Sequence, residues 1–149
     1  MKENLSDEKN KVLELIQNTL NDGLRRIVTS VFGLERKSPT IQLKESNYSY
    51  EVFEDTGTGT AYASLIVLDL TVFETTILPF IAHDSLLFKN IENDSVANLF
   101  KIYLNNKKQS FVAIYEIDKY GLETSALLQD RSVIKLDNDN VLYIKDWRR

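Results

Sequence analysis

The chain has 149 residues, 43% of them apolar and 27% charged, with 18 bases against 22 acids and a net charge of −4. These are ordinary globular values, enough for one domain with its own core; they exclude a disordered or low-complexity chain and give no global attraction to nucleic acid or anionic membrane. With no cysteine and one histidine, His83, a disulfide scaffold, a cysteine zinc site, an iron–sulfur cluster and any site needing two histidines of one chain are excluded.

The first eight residues are polar and carry acids, without the apolar core of a signal peptide. The most apolar stretch, 61–81, is broken by Asp69 and Glu74, a poor membrane span, so the expected location is the cytoplasm. Residues 5–32 read as one long helix, because Val12, Ile16, Leu20, Leu24, Ile27 and Val31 recur at steps of three and four. Ser6 with Asp7 and Glu8 suits its start and Gly33 its end. Gly23 is an interior cost of about 1 kcal/mol relative to Ala. The apolar stripe is one face wide, so this helix packs on something along its length.

After Ser38-Pro39 two strands are expected at 40–44 and 48–54, forming a hairpin. A small polar loop follows at 55–60, then residues 61–73, of which ten are apolar; their length favours a buried helix capped by Thr58 or Thr60. Residues 77–82 read as a buried strand with Pro79 near its start, ending in His83-Asp84-Ser85. A helix is expected at 95–106, a buried strand at 109–117 and a short helix at 123–128. A closing hairpin joins 133–136 to 141–144 through Asp137–Asn140, and 145–149 is a charged tail. The middle strand–helix–strand order argues for an α/β layer in which 77–82 and 109–117 run parallel.

Two features could carry chemistry. The glycine loop Thr56-Gly57-Thr58-Gly59-Thr60 opens a buried helix, where outward-pointing amides can receive phosphate oxygens; its bland alternative is a turn built with glycine. Asp84 ends an apolar strand, where a carboxylate is placed to hold Mg²⁺; its alternative is a cap on the following turn. A lone His83 is more often a packed or hydrogen-bonded residue than a catalyst. His83 and Ser85 share a strand face but have no identifiable third group. The pairs Arg25-Arg26, Arg36-Lys37, Lys107-Lys108 and Arg148-Arg149 read as solvated faces. Tyr48, Tyr50 and Phe53 read as sheet packing before base stacking.

The order of glycine loop, buried helix, apolar strand and Asp resembles the carboxyl-terminal lobe of an ABC-type ATPase head of the SMC/RecN kind, most of all the bacterial YydD-like family. Thr56-Gly57-Thr58-Gly59-Thr60-Ala61 matches the signature loop. Leu78-Pro79-Phe80-Ile81-Ala82-His83-Asp84-Ser85 matches the Walker B strand, and Leu87-Phe88-Lys89-Asn90-Ile91-Glu92 the D-loop region. Thr56 and Asp84 lie 28 positions apart, room for one helix and one strand. The resemblance covers roughly residues 10–145.

It implies an α/β fold of one domain: residues 1–34 as an amphipathic helix ending a coiled-coil arm, and 35–149 as the lobe. The lobe would hold a hairpin, central strands with flanking helices, and a closing hairpin. It further implies that Thr56, Gly57, Thr58, Gly59 and Thr60 contact ATP bound on an opposite head, that Asp84 helps hold Mg²⁺, and that DNA repair or defence is the setting. Homodimerisation and a DNA target are compatible with it. The chain has no Gly-x-x-x-x-Gly-Lys-Ser/Thr, so ATP and Mg²⁺ are expected only once a P-loop lobe, on this or another chain, joins it. Ser85 stands where such heads place a water-orienting Glu, and His83 is the substitute base within reach in sequence. The rival expectation is a stand-alone interaction domain that pairs through its first helix and has no nucleotide role.

Overall fold

The computed structural model describes residues 2–52, 57–137 and 140–141. Helix α1, Lys2–Phe32, runs further toward the amino terminus than expected. Ser6 does not cap it: the hydroxyl donates across to Glu45 at 3.4 Å. Gly33 ends it as expected, at φ +87°, with its N–H donating to the Thr29 carbonyl at 3.1 Å. That left-handed turn is open to glycine at little steric cost.

Strands β1, Thr40–Leu43, and β2, Tyr48–Glu51, pair antiparallel, with Thr40 opposite Glu51 and Leu43 opposite Tyr48. The other edge of β1 is taken by side-chain amides of α1. Asn21 donates to the Ile41 carbonyl at 3.0 Å and accepts from the Ile41 N–H at 2.8 Å, while Gln17 accepts from the Leu43 N–H at 2.9 Å. Two amide side chains thus stand in for a missing strand and close an edge that would otherwise invite pairing.

Helix α2, Thr58–Thr75, is buried along much of its length, through Ala63, Ile66, Val67, Leu70, Thr71 and Phe73. It lies antiparallel to α1: Arg36, just past α1, bonds Thr60 at the start of α2, while Gly23 lies against Thr71 near its end. A Cβ on Gly23 would stand 2.7 Å from Thr71 Cγ2, so the glycine that costs helix propensity permits the close crossing. Lys108 closes the far end of α2, donating to the carbonyls of Phe73 and Thr76 with its ammonium over the Phe73 ring. A cation there meets the negative end of the helix dipole.

Strand β3, Phe80–His83, pairs parallel with β4, Gln109–Val112, in the register Phe80–Gln109 to His83–Val112. The expected parallel pair exists but is shorter than the apolar runs that suggested it. A 3₁₀ turn, Ser85–Phe88, follows β3, helix α3 spans Asn93–Asn105, and a second 3₁₀ turn, Ile117–Tyr120, leads to α4, Leu122–Asp130. The core joins Leu24, Ile27, Ile66, Leu70, Leu99 and Phe100, each worth about 1.5–3 kcal/mol on burial. Phe100 packs on Phe88 and on Tyr120 with ring centroids 5.3 Å apart in both pairs.

The closing hairpin does not form in the described residues. Asp137 and Asn140 make the expected turn, Asn140 N–H donating to Asp137 Oδ1 at 2.7 Å, but 133–136 is not a strand. Among the described residues no strand lies beside it. The second arm at 142–144 and the tail lie outside the described residues, as do Phe53 and Glu54. Among the described residues no helix is long and apolar enough to cross a membrane.

The Gly23 contact has a testable sign. Gly23→Val would gain helix propensity, yet it is expected to lower stability by about 1–3 kcal/mol through overpacking against Thr71, read as a fall in Tm. A rise in Tm would mean that the two helices do not cross so closely.

Candidate functional site

Asp84 lies where the sequence places it, immediately beyond the carboxyl end of β3. Its backbone is extended at the head of the 3₁₀ turn, its carbonyl accepts from the Leu87 N–H at 3.1 Å, and its carboxylate is exposed. Ser85 Oγ donates to Asp84 Oδ1 at 3.1 Å. Ser85 therefore serves the Asp as a hydrogen-bond donor. Glu92 sits at the N-cap of α3, exposed. Among the described residues no group of three acids or histidines could hold a metal ion, so Asp84 supplies one carboxylate and no complete cation site.

His83 turns the other way, into the protein, and is 8% exposed. Its Nδ1 bonds the Tyr103 hydroxyl of α3, and its Nε2 lies 3.2 Å from Asp69 Oδ2 of α2. The ring also meets Tyr103 edge-on, with centroids 5.7 Å apart. Three elements are tied at one imidazole, one residue before Asp84, so the network fixes the backbone from which Asp84 projects. Burial, then the nearby Asp69 charge, pushes the Tyr103 phenol well above its ordinary range; the same two causes, in the same order, raise Tyr50, whose hydroxyl donates to the Ser64 carbonyl at 2.8 Å.

The glycine loop divides into parts with different roles. Thr56 lies outside the described residues. Gly57 is the N-cap of α2, in place of the expected threonine; with no side chain it caps nothing itself, and its carbonyl accepts from the Ala61 N–H at 3.1 Å. Thr58 is exposed at the helix start. Gly59 packs against the chain that follows Asp84: a Cβ there would stand 2.1 Å from the Asn90 carbonyl oxygen. Thr60 accepts a hydrogen bond from Arg36 at 2.8 Å, and the Arg36 guanidinium lies 4.9 Å from the centre of the Phe32 ring. Beside them opens a cleft of about 400 Å³ between α1 and α2, with Lys37 on its rim and Val28 and Val67 in its wall.

The loop and the end of β3 meet α2 at different points. Asp69 marks the level of His83 on α2 and Gly59 lies ten residues earlier, about 15 Å of helix. The structure joins each of the two sequence features to the same helix, at different heights.

The β3–β4 pair is exposed on one face. Ile81, His83, Ser110 and Val112 are turned toward the protein, and the Ser110 hydroxyl is buried with no hydrogen-bond partner among the described residues. Phe80 and Phe111, 56% and 48% exposed, meet edge-on at 6.0 Å on the outer face, next to exposed Ala82 and Gln109. Among the described residues each strand has one partner. Parallel strands ordinarily sit inside a larger sheet covered on both faces; among the described residues these two form a pair with one face open.

Sequence reasoning gave no site role to Asp69 or Tyr103. Asp69 carried a signal, an acid among the apolar residues of 61–73. Tyr103 carried none, and Asn90 was read only as part of the stretch 87–92.

A family model described as an uncharacterised protein conserved in bacteria, DUF2326, matches residues 7–145. Comparison with curated proteins finds no match.

Two outcomes test the network. Tyr103→Phe strips the hydroxyl from His83 and is expected to destabilise the fold by about 1–3 kcal/mol. A phenol held above its unfolded value of about 10 contributes stability that is present below that pH and lost as pH rises beyond it, because the unfolded chain releases the proton first. Denaturant titrations should therefore show stability falling above about pH 10, and falling less steeply in Tyr103→Phe; an unchanged alkaline slope would contradict the burial of that hydroxyl.

Proposed function

We propose, for a chain that belongs to the DUF2326 family of bacterial proteins, that it is the carboxyl-terminal lobe of an SMC/RecN-like ATPase head, incomplete without a P-loop lobe. The observation that carries this reading is the open parallel sheet with Asp84 at its carboxyl end. Ligands of α/β sheets lie beyond that end, and a pair of parallel strands with an exposed aromatic face is the edge of a larger sheet rather than a finished one. The missing part of the sheet and the missing P-loop are accounted for by one partner lobe.

In the assembled head Asp84 would supply one oxygen to Mg²⁺, directly or through water, with the remaining ligands from the P-loop lobe, phosphates and water. Mg²⁺ bound there would neutralise charge between the nucleotide phosphates. The work left to this chain is positional. Ser85 orients the Asp84 carboxylate, and the Asp69–His83–Tyr103 network holds the strand end. His83 is spoken for by that network, which argues against the base role and leaves Asp84 as the residue of this trio aimed outward. The start of α2 would face a nucleotide on a second head. Gly59 is fixed by packing on Asn90, so a phosphate would be met by the exposed first turn at Thr58.

The test uses the purified chain, alone and with the P-loop lobe of an SMC-type head from the same bacterium. The chain alone should show no ATP turnover above the buffer blank. Mixed with the lobe, it should associate, and Asp84→Asn should abolish Mg·ATP-dependent assembly while leaving the circular dichroism spectrum unchanged. ATP turnover by the homogeneous chain alone, or assembly indifferent to Asp84→Asn, would overturn the reading.

A further inference from the structure

Ser64, in the second turn of α2, is a buried polar residue, 7% exposed. A hydroxyl inside a helix commonly turns back to the carbonyl four residues earlier. Thr71 does so to Val67 at 2.8 Å, and Thr75 to Thr71 at 2.7 Å. Ser64 does not. Its carbonyl is taken by the Tyr50 hydroxyl at 2.8 Å, but its own hydroxyl has no hydrogen-bond partner among the described residues. A buried donor left unmet weakens a fold, so a group from outside gains by meeting it. The Ser110 hydroxyl is also unmet, but it is sealed from solvent. Ser64 instead lines the cleft between α1 and α2.

That cleft, about 400 Å³, falls within the range of small-molecule sites, roughly 300–1,000 Å³. Val28 and Phe32 of α1, Val52 just past β2 and Ala63 of α2 give it an apolar lining. Arg36 and Lys37 stand at its rim against one acid, Glu35. The Arg36 guanidinium is fixed there by the Thr60 hydroxyl at 2.8 Å and by the Phe32 ring, 4.9 Å from its centre. Two cations against one acid favour an anion, and an unmet hydroxyl donor calls for an acceptor. A carboxylate is both.

We propose that the cleft is a binding site for a small carboxylate with an apolar body. The carboxylate accepts a hydrogen bond from the Ser64 hydroxyl and lies in the field of Arg36 and Lys37. The body packs against Val28, Phe32 and Val52. Apolar burial supplies most of the affinity, while the hydroxyl and the rim charges orient the ligand and select acids over amides and amines. A molecule seated there bridges the end of α1 and the start of α2, which the Arg36–Thr60 bond already joins at this level. The site uses no nucleotide and does not rest on the ATPase reading.

The probes are naphthylacetate, its neutral amide, and naphthylethylamine, each titrated into the nitrogen-labelled full chain and followed by amide resonances. Naphthylacetate should shift Phe32, Ala63 and Ser64 and saturate in the millimolar range or tighter. The amide and the amine should bind at least about tenfold more weakly. Ser64→Ala keeps the cleft and removes the donor, so it should weaken the acid by about fivefold to tenfold. Ser64→Leu fills the space and should abolish binding with the helical spectrum kept; should that variant lose its spectrum, Ser64→Ala alone carries the test. No saturable shift with any of the three probes would overturn the site. Equal binding of the acid and its amide would overturn the carboxylate assignment, and acid binding indifferent to Ser64→Ala would overturn its place in the cleft.

Discussion

Everything placed in this fold is placed relative to α2, and α2 is held at three heights. Near its end Gly23 lets α1 approach Thr71; at mid-length Asp69 reaches the imidazole of His83; at its start Gly59 lies against the Asn90 carbonyl. Two of the three contacts depend on glycines that leave no room for a side chain, and the third on a buried hydrogen-bonded histidine. The segment from His83 to Asn90 is thereby pinned at both ends against the same helix. Asp84 and the 3₁₀ turn lie between the pins, which is why an exposed carboxylate at a strand end has a defined position.

This changes what the loop residues mean. Two glycines before a buried helix suggest a phosphate cradle, but Gly59 is required by a backbone contact within the chain. Gly57 is the N-cap of α2, and its carbonyl accepts from the Ala61 N–H. In the same way His83 looked available to chemistry because it sits beside Asp84 in sequence. Alternation along β3 sends the two side chains to opposite sides, one into the core and one to solvent.

Much of the architecture was legible in the sequence, and the reasons for the rest are physical. The period of α1, the length of the apolar run in α2 and the strand–helix–strand order gave correct elements and a correct parallel pair. Strand ends were overestimated because the apolar runs 77–82 and 109–117 continue beyond the four residues that find a neighbour. The hairpin at 133–144 was expected from two short segments joined by the polar turn Asp137–Asn140, but a strand needs a ladder as well as a turn, and 133–136 has none among the described residues. The contacts of His83 with Asp69 and Tyr103, 14 and 20 positions away, come from tertiary packing, to which local periodicity is blind. The match to one bacterial family covers residues 7–145 and assigns the chain no activity.

The open β3–β4 pair is the feature on which the functional reading turns, and backbone exchange reads it directly. Hydrogen–deuterium exchange of β3 and β4 amides should be fast at the unpaired edges of the isolated chain and slow when an SMC-type P-loop lobe from the same bacterium is added, with or without nucleotide. Protection of these amides on mixing is the expected result. Unchanged exchange in Gln109–Val112 and Phe80–His83 at saturating lobe would contradict the view that this sheet is completed by a second lobe.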